Sequence, residues 1–139
     1  MSTYSETFEL KTKGELQAVD ITERVAGVVA RSHLQAGIAC AFSPSSTSAI
    51  VANESGAGVD EDVAALLERV APRRAPYRHE EKWHDGNGHG HVRASLLGPS
   101  LTFPFQGGKP VLGTWQQLWF LELDNKPRTR EVVVQLVGE

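Results

Sequence analysis

The 139-residue sequence predicts a single α+β domain, covering 1–139, in which two main helices pack against a mostly antiparallel β-sheet. Three observations support this fold class. Two segments carry apolar residues at helical spacing, and most of the remaining chain consists of short runs typical of strands. Turn signals such as Gly98-Pro99 and Asp124-Asn125 separate many of these runs. Strands joined by such short turns usually pair antiparallel.

The N-terminal half predicts two strands and then a helix. Residues 4–12 alternate polar and apolar side chains, as a half-buried strand does, and residues 14–20 form a second strand candidate after a turn at Gly14. Asp20 and Glu23 have the spacing of a capping box. The helix predicted after them buries Ile21, Val25, Val28 and Val29, and Gly37 is a plausible stop signal beyond it.

The middle of the chain predicts two further strands and a second helix. Residues 38–43 and 49–53 are apolar enough for short buried strands, and a Ser/Thr-rich turn joins them. Asp60 or Asp62 is placed to cap a helix that ends before Pro72. Its apolar face contains Val63, Leu66, Leu67 and Val70. From His91 onward the pattern predicts strands within 91–98, 100–105, 111–124 and 130–138.

Composition excludes several classes of function. The chain is 40% hydrophobic and 22% charged, which is typical of a globular protein. Its net charge of −3 gives no field that would attract a nucleic acid, and no apolar run is long enough to cross a bilayer. Cys40, the single cysteine, excludes an internal disulfide, and the first residues lack the pattern of a secretory signal. We therefore expect a cytoplasmic protein that binds neither nucleic acid nor membrane.

The stretch WHDGNGHGH, residues 83–91, is the strongest candidate site because it contains three of the five histidines. On an extended chain His89 and His91 would face the same side and hold one metal ion, zinc being the natural partner for imidazole. His84 lies across a glycine-containing turn that could return it to the pair as the third ligand. Glu54 and Asp85 are candidate carboxylates, either as a metal ligand or as a hydrogen-bond partner of a ligand. The alternative is a solvated polar turn with ordinary hydrogen-bonded histidines.

A second candidate site is the hydroxyl-rich turn SPSSTSA, residues 43–49. Its hydroxyls and backbone N–H groups could bind phosphate, with Arg93 as a neutralising cation; the alternative is an ordinary turn with local hydrogen bonds. Gln116 has no apolar role within its hydrophobic segment and could orient a ligand or satisfy a buried backbone group. The hydroxyl donors are Ser45, Ser46, Thr47 and Ser48.

Together the segments NGHGHVRASLLGPSLTFPF, GTWQ and REVVVQLVGE resemble the YjbQ family, sometimes described as secondary thiamine-phosphate synthases. The similarity extends over nearly the whole chain. It implies a compact α+β subunit in a homotrimer, with a polar cleft that contains a metal or an anion. It also matches His89, His91, Asn87, Glu54 and Gln116 to family positions. Many members carry histidine where this chain has Ser45, so the third metal ligand is either missing or supplied by His84.

The leading hypothesis is therefore an enzyme acting on a small anionic metabolite. The family activity would join a pyrimidine diphosphate to a thiazole phosphate with loss of pyrophosphate. In that scheme His84, His89 and His91 hold a divalent metal, while Arg93, Asn87 and the hydroxyl-rich turn hold phosphate. Glu54, His84 and Gln116 are the candidate catalytic groups. Two alternatives use the same residues: a metal-assisted hydrolase of a small phosphorylated or ester substrate, and a non-enzymatic trimer that binds a metabolite or metal.

Overall fold

The computed structural model describes residues 1–139 and confirms the α+β class, with eight strands and four helices. Three of the helices have ten or more residues, so the predicted pair is supplemented by one long and one short helix. The strands are β1 (Ser2–Thr12), β2 (Gln17–Asp20), β3 (Ala36–Phe42), β4 (Ser48–Asn53), β5 (Ser100–Gln106), β6 (Lys109–Pro110), β7 (Gln117–Glu122) and β8 (Arg128–Gly138). The helices are α1 (Thr22–Arg31), α2 (Val59–Val70), α3 (Arg78–Trp83) and α4 (Gly88–Leu97).

The strands form two sheets, and every pair of neighbouring strands is antiparallel as predicted. The larger sheet has the order β1-β8-β3-β5-β6, and the smaller has the order β2-β7-β4. Alternation along β8 places Val132, Val134 and Leu136 on a buried inner face, while Gln135 and Val137 point outward. The sequence periodicity therefore sets which face of the larger sheet meets the core.

The smaller sheet lies in the middle of the molecule and is covered on both faces. Ile50, Leu118 and Phe120 belong to the main core with α1 and the inner face of the larger sheet. Trp119 and Leu121 point the other way and pack with Leu67 of α2 and Ala94 of α4. Burial on both faces explains why β7 is almost continuously apolar.

Helix α1 begins close to the predicted capping signal. Asp20 Oδ1 accepts hydrogen bonds from the backbone N–H of Thr22 at 2.9 Å and from its hydroxyl at 2.6 Å. This satisfies one of the free N–H groups at the start of the helix. The helix ends at Arg31, and Gly37 lies inside β3.

The predicted strand 91–98 is wrong, because these residues belong to α4. The side chains that α4 buries include two polar ones, His89 and Arg93, whereas Val92 and Leu96 are exposed. Its hydrophobic pattern is therefore nearly the reverse of that of an ordinary amphipathic helix. Ion pairs and hydrogen bonds allow the polar side chains to be buried, and periodicity carries no signal for such pairs.

Two further segments differ from the predictions. Residues 78–83, for which no helix was predicted, form the single short helix α3. The segment 111–124 is a strand only from Gln117 to Glu122, and Gly113 lies in a turn before it. No helix combines the length and the hydropathy that a membrane crossing requires.

Candidate functional site

A cavity of about 320 Å³ lies where the hydroxyl-rich turn, the start of α4 and the β7–β8 connection meet, and we call it the polar cavity. None of its nine lining residues is hydrophobic. Such a lining is unusual, because ligand pockets are mostly apolar with a few polar groups. The lining residues are Pro44, Ser45, Ser46, Thr47, Asn87, His91, Asp124, Arg128 and Arg130.

A buried ion pair forms the base of the polar cavity. Arg130 donates to both carboxylate oxygens of Glu122, at 2.8 and 2.5 Å, and the Glu122 side chain has no exposed surface. Glu122 also accepts from the Thr12 hydroxyl at 2.5 Å and from the Asp124 backbone N–H at 3.0 Å. These contacts satisfy the buried carboxylate and hold the Arg130 guanidinium in one orientation.

Asp124 is the second carboxylate at the cavity, and it is fully ionised at neutral pH. Burial raises the pKa of its carboxyl, but hydrogen bonds from Arg128, the Asn125 backbone N–H and Thr47 outweigh this. The pKa therefore lies below its ordinary value of 3.8. Arg128 donates to Asp124 from two nitrogens, at 3.1 and 2.8 Å, and keeps 38% of its side chain exposed. The Arg128 guanidinium is therefore available to an entering anion.

The Ser45 hydroxyl is arranged to donate into the cavity. Its oxygen accepts from Arg130 Nη1 at 2.7 Å and from the Thr47 backbone N–H at 3.2 Å. A hydroxyl oxygen has two lone pairs, and both are engaged by these contacts. The hydroxyl hydrogen of Ser45 consequently remains free for an acceptor such as a phosphate oxygen.

Asn87 contributes a buried acceptor. Its Nδ2 lies 3.3 and 3.4 Å from the two Asp124 oxygens, and since a carboxylate only accepts, this atom must be the amide nitrogen. The Asn87 Oδ1 atom is buried and has no hydrogen-bond partner. Buried polar groups without partners are uncommon in folded proteins, and they often mark a ligand or water position.

His91 is the one titratable imidazole that lines the polar cavity. Burial lowers the pKa of this imidazole, and the neighbouring His79 lowers it further, against the opposing effect of Asp85 and Asp124. The His79 and His91 ring centroids are 4.2 Å apart. Because an unperturbed histidine already titrates near 6.5, His91 is neutral at pH 7 and is able to accept a proton there.

Two glycines allow the start of α4 to approach the site closely. A Cβ atom on Gly90 would lie 2.4 Å from the carbonyl oxygen of Leu123, the residue before Asp124. A Cβ on Gly88 would lie 2.7 Å from the Cβ of Tyr77. The Gly88 backbone N–H donates to Glu80 at 2.7 Å, which satisfies a free donor at the helix start. The absence of side chains at 88 and 90 thus brings Asn87 and His91 against the β7–β8 connection.

His89 does not share the polar cavity with His91, so the predicted converging pair is wrong. Residues two apart on a helix are about 200° apart around its axis, and the two rings point in different directions. His89 is 1% exposed, and its Nε2 contacts Glu15. It belongs to what we call the buried cluster, in which Glu15, His89 and Arg93 are buried and are joined by the exposed side chains of Glu68 and Arg73.

Arg93 lies in this buried cluster and not at the predicted phosphate site. It donates to the Ala71 carbonyl at 2.9 Å and to Glu68 at 2.9 Å, and it is 4% exposed. Its guanidinium links α4 to the end of α2. The positive charges that line the polar cavity are instead those of Arg128 and Arg130.

The structure brings together some of the predicted site residues and not others. Ser45, Ser46, Thr47, Asn87 and His91 all line the polar cavity. Ser48 is buried beside it, and its hydroxyl lies 2.6 Å from that of Ser43.

Three predicted catalytic residues lie away from the cavity. His84 is an exposed residue that ends α3, with a left-handed φ of 56°. Glu54 follows the far end of β4, about 20 Å of extended chain from the hydroxyl-rich turn that precedes this strand. Gln116 is exposed and accepts from the Gly113 backbone N–H at 2.8 Å, so it stabilises its own turn.

Sequence reasoning missed Asp124, Arg128, Arg130 and His79. The first three lie around a turn between two strands, where charged residues are common and carry little signal by themselves. The Arg128 and Arg130 side chains point to the same side because residues two apart share a face of a strand. Two arginines at this spacing are the feature of the sequence that could have identified them as part of the site. His79 carries no signal in the sequence, but its ring packs against the His91 ring at an interplanar angle of 38°.

His79 also belongs to the one group of side chains whose geometry fits a metal ion. The ligand atoms of His79, Glu80 and Asp85 all lie within 4.8 Å of one another. His79 Nδ1 is 3.3 Å from Asp85 Oδ1 and 3.4 Å from Glu80 Oε1. Ligands at about 2.1 Å from a tetrahedral zinc are separated by about 3.4 Å, so these side chains have suitable spacing.

Comparisons with known proteins point consistently to one family. A family profile described as "UPF0047 protein YjbQ-like" matches residues 6–139. A UPF0047 protein of Methanothermobacter thermautotrophicus is 40% identical over 139 residues, which is 100% of this chain and 95% of that protein. The UPF0047 protein YugU of Bacillus subtilis is 32% identical, with 95% and 98% of the two chains covered.

Solved structures agree with this assignment. A YbjQ-like protein of unknown function from Sulfolobus solfataricus superposes with a TM-score of 0.88 at 32% identity, covering 99% of this chain and 100% of that one. An uncharacterised conserved YjbQ/UPF0047 protein from Clostridium acetobutylicum gives a TM-score of 0.86 at 37% identity, covering 95% and 99%. These matches span the whole fold, including the helices and strands that surround the polar cavity.

Proposed function

Because this chain belongs to the YjbQ-like UPF0047 family, we propose that it is a small-molecule enzyme whose polar cavity binds the phosphate or diphosphate of an anionic metabolite. One observation carries the proposal: the cavity combines two guanidinium groups with the hydroxyls of the 45–47 turn and contains no hydrophobic residue. Guanidinium and hydroxyl donors are the groups that recognise phosphate oxygens in proteins.

Each ligand contact is assigned to an atom that has a donor or acceptor to spare. The partly exposed Arg128 guanidinium and the free hydroxyl hydrogen of Ser45 bind phosphate oxygens. Arg130 acts mainly through Ser45, since four of its five N–H donors are directed to Glu122, Thr47 and that hydroxyl. The unpartnered Asn87 Oδ1 accepts from a hydroxyl or N–H of the ligand.

His91 is the proposed acid-base group. It is neutral at pH 7, because burial and His79 lower its pKa, and so it takes a proton from a reacting group and returns it later. The reaction we propose is that of a thiamine-phosphate synthase, in which a pyrimidine diphosphate and a thiazole phosphate are joined and pyrophosphate leaves. Arg128 and Ser45 then stabilise the negative charge that develops on the leaving pyrophosphate.

The second candidate is a metal-assisted hydrolase of a small phosphorylated or ester substrate, favoured by the group His79, Glu80 and Asp85. A divalent ion, with zinc as our proposal, would be held by these residues beside His91 and would supply a water of lowered pKa. His91 again accepts a proton, and Arg128 again binds the anionic group. Metal content of the purified protein and of its His79→Ala variant tests this proposal directly.

The deciding experiment measures binding and turnover separately. Calorimetric titration with inorganic phosphate and pyrophosphate should give binding that Ser45→Ala weakens. Pyrophosphate release from the two thiamine precursors should fall about 100-fold or more in His91→Gln, the usual range for loss of an acid-base group. His33→Gln is the matched control, since His33 is exposed in a loop outside the cavity.

Turnover that survives His91→Gln unchanged would refute the acid-base role. Hydrolysis of single phosphate esters that depends on added zinc would favour the hydrolase. Binding of phosphate with no turnover in any assay would leave the third possibility, a non-enzymatic protein that binds an anionic metabolite.

We further propose a cytoplasmic homotrimer. The outer face of the larger sheet carries no charged residue across three rows: Thr3, Val137, Ile38 and Pro104; Ser5, Gln135, Cys40 and Thr102; and Thr7, Val133, Phe42 and Ser100. Ile38 is 57% exposed and Phe42 is 40% exposed. In a cyclic trimer each subunit meets a different patch of its neighbour, and a neutral, partly apolar face brings no charge repulsion to such a contact. Light scattering should give three times the subunit mass, and Ile38→Lys should shift it to the monomer.

A further inference from the structure

A second cavity of about 210 Å³ adjoins the polar cavity, and we call it the side compartment. Ser45, Ser46 and His91 line both spaces, so the His91 ring stands at their junction. The other residues that line the side compartment are Ser48, Ala94, Ser95 and Pro99. Its walls thus come from the hydroxyl-rich turn, from α4 and from the connection that follows α4.

The two spaces differ in chemistry although they share one wall. The polar cavity has Asp124, Arg128 and Arg130 in its lining, whereas the side compartment has no lysine, arginine, aspartate or glutamate. The two hydroxyls that line only the side compartment, those of Ser48 and Ser95, already have hydrogen-bond partners within the protein. Ser48 Oγ lies 2.6 Å from Ser43 Oγ, and Ser95 Oγ donates to the His91 carbonyl at 2.9 Å. An uncharged group that enters this space leaves no charge unpaired and competes with few protein hydrogen bonds.

We infer that the side compartment binds the uncharged carbon portion of the ligand whose phosphate occupies the polar cavity. The inference rests on the proposed function, and it adds which end of the ligand lies on which side of His91. It assigns Ser95 and Ala94 of α4 as residues that determine specificity. The favoured ligand is a phosphate ester of a small uncharged alcohol, with the bridging ester oxygen beside the His91 ring.

The size of the two spaces agrees with this class of ligand. Small-molecule sites usually measure about 300–1,000 Å³. The polar cavity, at about 320 Å³, lies at the lower end of that range, and the side compartment adds about 210 Å³ for the rest of the ligand. The side compartment is too small for a nucleoside or a peptide of several residues. A chain of a few carbon atoms, or one small ring, is the matching occupant.

The test is a titration of the full-length protein with inorganic phosphate, methyl phosphate, propyl phosphate and 2-carboxyethyl phosphate. Burying each added methylene strengthens binding up to roughly fourfold, so propyl phosphate, which has two more methylenes, should bind about tenfold more tightly than methyl phosphate. The carboxylated ester should lose the gain, because the side compartment offers no cation to its second charge.

A variant that fills the side compartment tests whether the carbon atoms of propyl phosphate bind there. Ser95→Leu places a larger side chain in the side compartment and should reduce the affinity for propyl phosphate to that for inorganic phosphate. Val92→Leu is the matched control, because Val92 is an exposed residue of the same helix outside both cavities. Circular dichroism checks that both variants retain the fold, and Ala94→Val provides a second filling variant.

The outcomes separate the two proposals. Propyl phosphate binding that Ser95→Leu or Ala94→Val weakens and Val92→Leu does not supports the side compartment. Equal affinities for inorganic and propyl phosphate, or equal losses in the filling variants and the control, would overturn this inference and leave the proposed phosphate site intact. Failure of every phosphate compound to bind would overturn the proposed function, and this inference with it.

Discussion

Helix α4 separates two groups of charged and polar side chains that resemble each other in composition and differ in openness. On one side His91 joins Asp124, Arg128 and the hydroxyls of the polar cavity, and on the other His89 joins the buried cluster. Arg128 keeps 38% of its side chain exposed, whereas the side chains of Arg93 and Glu15 are 5% and 7% exposed.

The difference shows how two histidines of one short motif acquire separate roles. In the buried cluster Glu15, His89 and Arg93 have almost no exposed surface, and removing one of them leaves a charge in a poorly solvated place. In the polar cavity the guanidinium of Arg128 and the hydroxyl of Ser45 still have donors to spare. We therefore expect changes in the buried cluster to reduce stability, and changes at the rim of the polar cavity to reduce ligand binding.

The largest effect is expected for His89→Ala. Removing this fully buried ring leaves a void and takes a partner from Glu15, which should lower the free energy of unfolding by about 3 kcal/mol. His91→Ala, two residues along the same helix, should cost less than about 1 kcal/mol because its ring borders an open cavity. Urea denaturation of both variants measures the difference. Equal losses of unfolding free energy would mean that the two sides of α4 contribute equally to stability, contrary to this comparison.

The second largest effect is expected at Gly90, which lies on α4 between His89 of the buried cluster and His91 of the polar cavity. Gly90→Ala should lower the free energy of unfolding by about 2 kcal/mol, because the new Cβ would lie 2.4 Å from a backbone oxygen and α4 must move. The same shift displaces His91 from Asp124, so phosphate binding should weaken as well.

Gly27→Ala is the matched control for Gly90→Ala. It also replaces a helical glycine, but its Cβ would meet only the end of the flexible Arg31 side chain. It should stabilise the protein by about 0.5–1 kcal/mol through the better helix propensity of alanine. A Gly90→Ala variant that is as stable as Gly27→Ala would contradict the close approach of α4 to Leu123.

These expectations indicate what the sequence could predict and what it could not. The larger sheet was predictable, because the alternation of polar and apolar residues along β1 and β8 indicates which side chains are buried. Helix α4 was not, because it buries His89 and Arg93 and exposes Leu96. A buried charged side chain requires a partner, and the partners Glu15 and Glu68 lie 74 and 25 residues away in the sequence.

The candidate site was predictable only where its residues adjoin a conspicuous motif. The turn residues Ser45 and Thr47 and the helix residues Asn87 and His91 were identified, because hydroxyl clusters and histidines are chemically distinctive. Arg128 and Asp124 were not, since a charged residue near a turn is usually solvated. Their role follows from the pairing of β8 with β1 and β3, which places the start of β8 beside the hydroxyl-rich turn.

The third prediction concerns Arg128, which separates binding from stability. Arg128→Gln should weaken phosphate binding about tenfold, equivalent to about 1.4 kcal/mol, while the free energy of unfolding changes by less than about 1 kcal/mol. Asp124 keeps its contacts with Thr47 and the Asn125 backbone N–H in this variant, which limits the loss of stability. Lys126→Gln removes the same charge from an exposed position outside the cavity. Equal losses of phosphate affinity in both variants would indicate that Arg128 acts through the overall charge of the protein and not through direct contact with the phosphate.

The smallest effect is the pH dependence that Asp124 contributes. Its pKa in the folded protein lies below the ordinary 3.8, so folding favours the ionised carboxylate. The stabilisation is therefore fully present above pH 4 and is lost as the pH falls through the lowered pKa. The difference in unfolding free energy between the wild type and Asp124→Asn should be largest near neutral pH and should shrink below pH 4. Glu6→Gln is the control for an exposed ion pair, since Arg31 lowers the pKa of Glu6 in the same direction at the surface. A wild-type advantage over Asp124→Asn that stays constant down to pH 2 would mean that Asp124 stabilises the protein through its shape and hydrogen bonds alone, and the polar cavity would then hold one negative charge fewer than the structure implies.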